Sequence, residues 1–141
     1  PERVEGVGVA VLSAQLDIAN ARLTFPSGCV ANVTASRVSP TPLRKVRVFE
    51  TDAYFSIDFL ERRAAIFRHA GGSRPEAIRM EPLGLGEWDP LTLQLRAFLK
   101  AVRTRQEPST SPEDAMRALR TALRIVEAIG DPRAPREREG S

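Results

Sequence analysis

Between Ile18 and Val38 apolar and polar residues alternate, and the rhythm is interrupted only once. Ala19, Ala21, Leu23 and Phe25 fall on one side of an extended chain, with Asn20, Arg22 and Thr24 on the other. After Pro26-Ser27-Gly28 the alternation resumes with Cys29, Ala31, Val33 and Ala35. Strand side chains alternate faces, so a slip of one residue would carry a whole apolar set to the wrong side. A loop of Pro26, Ser27 and Gly28 opposes Phe25 to Cys29, Leu23 to Ala31, Ala21 to Val33 and Ala19 to Ala35. A shorter Ser27-Gly28 loop would set Leu23 against Asn32 and Ala21 against Thr34. Proline presets the first turn position, and glycine accepts the left-handed position of a type I turn with a bulge. The pattern predicts a hairpin with one apolar and one polar face. Its small apolar residues let a helix or a second sheet approach closely.

The same reasoning extends along the chain. Val4 to Leu12 is valine-rich and contains Gly6 and Gly8, which predicts a strand with a bulge or a close backbone approach. Pro40 to Leu43 breaks the pattern; "RKVRVFE" and "AYFSIDF" follow as strands around Thr51-Asp52, then "RRAAIFR", Arg62 to Arg68. In the second of these, Ala53, Phe55, Ile57 and Phe59 share a face opposite Tyr54, Ser56 and Asp58. "HAGGSRPE" reads as a loop, and Ala77 to Glu81 as a last edge strand.

At Trp88 the period changes. Asp89-Pro90 offers an N-cap and a first-position proline, and Leu91, Leu95, Phe98, Leu99 and Val102 recur on one helical stripe. After "RQEPST", Ser111-Pro112-Glu113-Asp114 starts a second helix with a cap and an acidic first turn. Ala115, Leu119, Ala122, Leu123, Val126 and Ile129 form its apolar stripe, which Gly130 and Pro132 end. Strands first and helices last predict an α+β fold, an open, mostly antiparallel sheet with helices packed on one face. The expected domain spans residues 1–130, and the charged, proline-bearing 131–141 is expected to be a disordered tail.

The chain has 141 residues, enough for one domain with a core, and no apolar run long enough to span a bilayer. No basic-then-apolar leader opens it, so a cytoplasmic protein is expected. Only Lys45 and Lys100 among the 21 basic residues are lysines, and the net charge is just +3. The arginines are scattered among acids, as in "EDAMRALR", rather than gathered on one basic face, which argues against a nucleic-acid partner. Enzyme chemistry is sparse. Cys29, the only cysteine, is expected on the buried face as a core residue. His69, the only histidine, is expected in an exposed loop. No metal-ligand spacing, phosphate-cradling glycine loop or nucleophilic triad is found, and Asp17, Asp52, Asp58 and Asp89 read as turn, polar-face or capping residues.

The order of elements and two stretches, "ANARLTFPSGCVANVTASR" and the helical "DPL…AFLKAVR…SPEDAMRALRTALRI", resemble the C-terminal sheet domain of the Gfo/Idh/MocA family of NAD(P)-dependent oxidoreductases. The resemblance runs from about Val4 to Ile129 and is particularly close to bacterial members that oxidise nucleotide-linked sugars. It implies a substrate-binding and dimerisation domain of an enzyme that acts on a sugar or nucleotide-linked sugar. Family members also carry an N-terminal Rossmann domain with a glycine fingerprint, a catalytic lysine and a helix with an aspartate/histidine pair. This sequence has none of them, and Pro1 falls where the sheet should start. The resemblance thus implies a severed domain without catalytic, cofactor-binding or metal-binding residues, with NAD or NADP expected only in the longer parent. Ser36 and Arg37, ending "TASR", are the candidates to reach a small-molecule substrate. An arginine fork suits phosphate oxygens, although a surface or internally ion-paired Arg37 fits the sequence equally.

The polar hairpin face of Asn20, Arg22, Thr24, Asn32, Thr34 and Ser36, with Ile18, Val30 and Val38 at its margins, mixes apolar and polar groups. That mixture suits a twofold homodimer interface, with the apolar face under the terminal helices. A stand-alone, sheet-mediated homo-oligomeric module without activity is the alternative reading.

Overall fold

The structure is a computed structural model, and its described residues are 1–69, 71, 78–84, 86 and 89–132. Among them the chain forms β1 (Arg3–Val9), β2 (Ile18–Thr24), β3 (Val30–Ser36), β4 (Lys45–Phe49), β5 (Ala53–Asp58), β6 (Arg63–His69), β7 (Ile78–Leu83), α1 (Pro90–Thr104) and α2 (Pro112–Ile129). The fold is α+β with open, wholly antiparallel sheets. The strands divide into two meanders, β1-β2-β3 and β4-β5-β6-β7. The division follows β3, where Pro40 and Pro42 lack the N–H that a ladder requires. Two compact units result, Pro1–Pro40 with Lys100–Ser141, and Thr41–Leu99.

In the first unit the predicted hairpin register is observed pair for pair: Ala19 faces Ala35, Ala21 faces Val33 and Leu23 faces Ala31. The loop closes as expected. The Phe25 N–H donates to the Cys29 carbonyl at 2.9 Å, the Gly28 N–H to the Phe25 carbonyl at 2.9 Å, and Gly28 has φ +83°. β1 pairs with β2 without interruption, so its glycines mark a close approach and not a bulge. An ideal Cβ on Gly6 would lie 2.7 Å from Cγ1 of Ile129 and 3.3 Å from the carbonyl oxygen of Ile125. On Gly8 it would strike Leu16 and lie 2.9 Å from Cγ2 of Ile129. The end of α2 therefore rests directly on the β1 backbone.

Two expectations are corrected here. Ala21 and Leu23 are buried, but Cys29, Val33 and Ala35 on the same face are exposed. One helix about 10 Å wide covers roughly two strands spaced ~4.8 Å apart, and β3 is left out. Cys29 is consequently not a core residue. The apolar stripe of α2 is the second case. Of its predicted members Ile129 lies against Gly6 and Gly8, whereas Leu119, Leu123 and Val126 are more than half exposed. The two bare glycines admit the Ile129 side chain and the Ile125 carbonyl and so set the helix's rotation. Its start is as predicted. The Ser111 side chain accepts from the Asp114 N–H at 3.1 Å, and Asp114 Oδ2 accepts from the Ser111 N–H at 3.3 Å.

In the second unit Lys45 and Asp58 are paired across β4 and β5 at 3.2 Å. Tyr54 stacks on Phe67 with ring centroids 4.2 Å apart and planes at 2°, and on Phe49 at 5.3 Å. Ala53 and Ala64 are buried. His69 is exposed, as expected, yet it closes β6 instead of opening a loop: it pairs with Ile78, and its N–H donates to Asp52. β7 runs to Leu83 and tolerates Pro82 because it is an edge strand. Asp89 caps α1, accepting from the Thr92 N–H at 2.9 Å. Most of the predicted 69–76 loop, Ala77, Trp88 and residues 133–141 of the predicted tail lie outside the described residues.

Candidate functional site at the three-stranded sheet

Asp17 organises one end of this sheet. The residue is 3% exposed, and its carboxylate collects the backbone donors that follow β1, which ends three residues before the sequence pattern predicts. Oδ2 accepts from the N–H groups of Val11 at 2.7 Å, Leu12 at 2.6 Å and Ser13 at 3.0 Å. Oδ1 accepts from the Ser13 hydroxyl at 3.2 Å and from Nε of Arg37. Burial pushes the Asp17 carboxyl upward, but the N–H donors of Ser13, Leu12 and Val11 and the Arg37 side chain outweigh it and hold it well below the usual carboxylate range. The sequence reading of Asp17 as a turn residue is correct in position. It misses the burial and the partner, since Arg37 lies twenty residues away in sequence.

Ser36 and Arg37 are adjacent in the chain but differently engaged. Ser36, the last residue of β3, accepts from the Ser39 hydroxyl at 2.8 Å and from the Val38 N–H at 3.3 Å. Arg37 donates its N–H to the Asp17 carbonyl at 3.0 Å and Nη2 to the Ser13 hydroxyl at 2.5 Å. Its side chain remains 52% exposed. The Asp17 pair thus fixes the guanidinium plane while leaving part of the fork at the surface.

The polar sheet face adjoins Ser36. Thr34 Oγ1 donates to Asn20 Oδ1 at 2.8 Å, and Arg22 Nη1 donates to Asn32 Oδ1 at 3.4 Å, each within a directly opposed strand pair. With Glu5 and Val7 these side chains line an open concavity of about 470 Å³. The pairs straighten the side chains across the strands and leave Val7, Val9 and Val30 exposed among them. Such a surface offers shape and hydrogen-bonding groups. It brings no nucleophile beside a base, and no group of three metal-ligating side chains occurs among the described residues. No helix among the described residues is long and apolar enough to cross a membrane.

This α+β unit, with an antiparallel meander and a helix on one face, is a fold found within sugar dehydrogenases. No family model matches the chain. It is 34% identical over 131 residues, 92% of its length, to UDP-N-acetylglucosamine 3-dehydrogenase of Acidithiobacillus ferrooxidans, of which it spans 42%. The solved structure of that enzyme superposes with a TM-score of 0.81 at 32% identity, over 90% of this chain and 40% of that one. A levoglucosan dehydrogenase in complex with NADH superposes with a TM-score of 0.76 at 14% identity, over 89% of this chain and 42% of that one, a likeness of fold. The chain thus spans about two-fifths of the length of the relatives it matches.

Proposed function

We propose that this chain is the substrate-binding and dimerisation domain of an NAD(P)-dependent oxidoreductase of the Gfo/Idh/MocA family. Its substrate is a sugar or nucleotide-linked sugar, and it transfers no hydride alone. The observation that carries the reading is the match over 92% of this chain to a part, 42%, of a dehydrogenase whose named substrate is a nucleotide-linked sugar. NAD or NADP belongs to the remainder of the parent polypeptide, as a Rossmann domain preceding Pro1. Arg37 presents the outer part of its fork to substrate phosphate oxygens, held in plane by Asp17 and Ser13. Ser36 lies beside it at the strand end. The Asn20, Arg22, Asn32 and Thr34 face meets its own copy across a twofold axis.

The test is calorimetric titration of the isolated chain and of the parent polypeptide. The isolated chain is expected to bind neither dinucleotide. The parent is expected to bind both a dinucleotide and a UDP-sugar, and Arg37→Ala is expected to weaken the UDP-sugar roughly tenfold or more, the loss of a charge-assisted pair. Saturable dinucleotide binding by the isolated chain, or an unchanged sugar-nucleotide affinity in the variant, would refute the reading. A coding sequence without a glycine fingerprint upstream of Pro1 would favour a stand-alone interaction module.

A further inference from the structure

An arginine guanidinium is planar and carries five N–H donors, and Arg37 spends two of them within the three-stranded unit. Nε donates to Oδ1 of Asp17, and Nη2 donates to the Ser13 hydroxyl at 2.5 Å. The Nε hydrogen and the nearer Nη2 hydrogen point the same way and form the side-on edge of the fork. That edge is filled. The other Nη2 hydrogen and one hydrogen of Nη1 run parallel off the end of the side chain. Nη1 has no partner among the described residues, and the side chain is half exposed.

Ser13 decides which edge is left. A carboxylate ordinarily takes the side-on edge with both of its oxygens. Asp17 cannot, because Oδ2 already accepts from the N–H groups of Val11, Leu12 and Ser13. Only Oδ1 is left for the arginine, and the Ser13 oxygen stands where the second carboxylate oxygen would be. That hydroxyl is itself held from two sides, donating to Oδ1 of Asp17 at 3.2 Å and accepting from the Gln15 N–H at 3.1 Å. One bond at Nε would leave the guanidinium plane free to swing; the second, at Nη2, fixes it. We infer that Ser13 is the positioning residue of an oxyanion site at Arg37, which grips a single phosphoryl group of the substrate end-on through Nη1 and Nη2. The inference deepens the proposed function and rests on it for the ligand. It also constrains recognition. Asp17 balances the charge of Arg37, so the grip depends on two parallel donors and a cation without the fork cannot supply it.

The experiment is calorimetric titration of the parent polypeptide with UDP, each variant being held well below its melting temperature so that affinity and not folded fraction is read. Ser13→Ala is expected to weaken UDP roughly fivefold, and Ser13→Thr, which keeps the hydroxyl, to leave it unchanged. Because Ser13 acts through Arg37, the Ser13→Ala/Arg37→Ala double variant should bind no more weakly than Arg37→Ala alone. Arg37→Lys should lose as much as Arg37→Ala. Unchanged UDP affinity in Ser13→Ala, additive losses in the double variant, or full binding by Arg37→Lys would each overturn the inference. Where Arg37→Ala weakens UDP and Ser13→Ala does not, this inference fails and the proposed function stands. A parent that binds no UDP sinks both.

Discussion

Replacing Gly6 with alanine adds one carbon where the structure has no room for it. Gly6 does not occupy the left-handed region, so alanine meets no backbone objection and the effect is steric. The new Cβ falls 2.7 Å from Cγ1 of Ile129, 3.5 Å from its Cδ1 and 3.3 Å from the Ile125 carbonyl oxygen. Carbon atoms rest at about 3.5–4.0 Å, so α2 must rise or tilt by about 1 Å. Overpacking of this kind costs about 1–3 kcal/mol, and the loss of glycine's freedom in the unfolded chain returns about 0.4–1 kcal/mol. The net expectation is a destabilisation of about 1–2 kcal/mol, read as a lower urea midpoint at constant slope in far-UV circular dichroism. The second half of the experiment is Ile129→Ala. It removes the obstructing Cγ1 and Cδ1 atoms, so Gly6→Ala on that background should be neutral or slightly stabilising, a coupling of about 1–2 kcal/mol. Equal costs of Gly6→Ala in both backgrounds would refute the argument that this glycine exists for the helix.

Asp17→Asn should flatten the acid limb of the stability profile. The folded Asp17 carboxyl titrates below its unfolded value, so the unfolded state binds more protons and stability rises with pH. Its contribution is complete above the ordinary carboxylate range near pH 4 and is lost as pH falls below it, which parallel acid titrations of the two proteins will compare. Asp58, Asp89 and Asp114 are lowered in the same sense by their N–H, hydroxyl and cationic partners, so the variant retains a weaker acid limb. Ser111→Ala opens the capping box of α2 and should cost about 1 kcal/mol in urea unfolding, with Ser111→Asp close to neutral. Thr34→Arg places a cation in the middle of the polar sheet face. Light scattering should show a dimer of the unsubstituted chain and a monomer of the variant, and a dimer indifferent to the change would move the interface elsewhere.

What the sequence disclosed depended on the range of the interactions involved. Strict alternation on both sides of Pro26-Ser27-Gly28, together with the turn chemistry of that loop, disclosed the β2–β3 register, because a slip of one residue opposes apolar to polar. Caps were equally legible at Asp89 and Ser111, where the partners lie within three residues. The end of β1 was not, because the valine run continues while a carboxylate several residues downstream takes the backbone donors. The rotation of α2 was also hidden. Two apolar arcs share that helix, and the choice between them rests with Gly6 and Gly8, more than a hundred residues earlier. For the site, Ser36 and Arg37 come from resemblance, whereas the Asp17–Arg37 pair that orients the arginine emerges only in three dimensions.

The stacked rings of the second unit give the molecule a built-in optical label. Tyr54 is the only tyrosine, and it is held face to face with Phe67 in a chiral, rigid stack of the kind that gives near-ultraviolet dichroism. The tyrosine band therefore reports the four-stranded sheet, whereas far-ultraviolet dichroism records both sheets. Overlaying the two melting curves measures cooperativity between the units without a dye or a substitution. Coincident curves mean a single transition, and a displaced aromatic curve gives the four-stranded unit a melting temperature of its own.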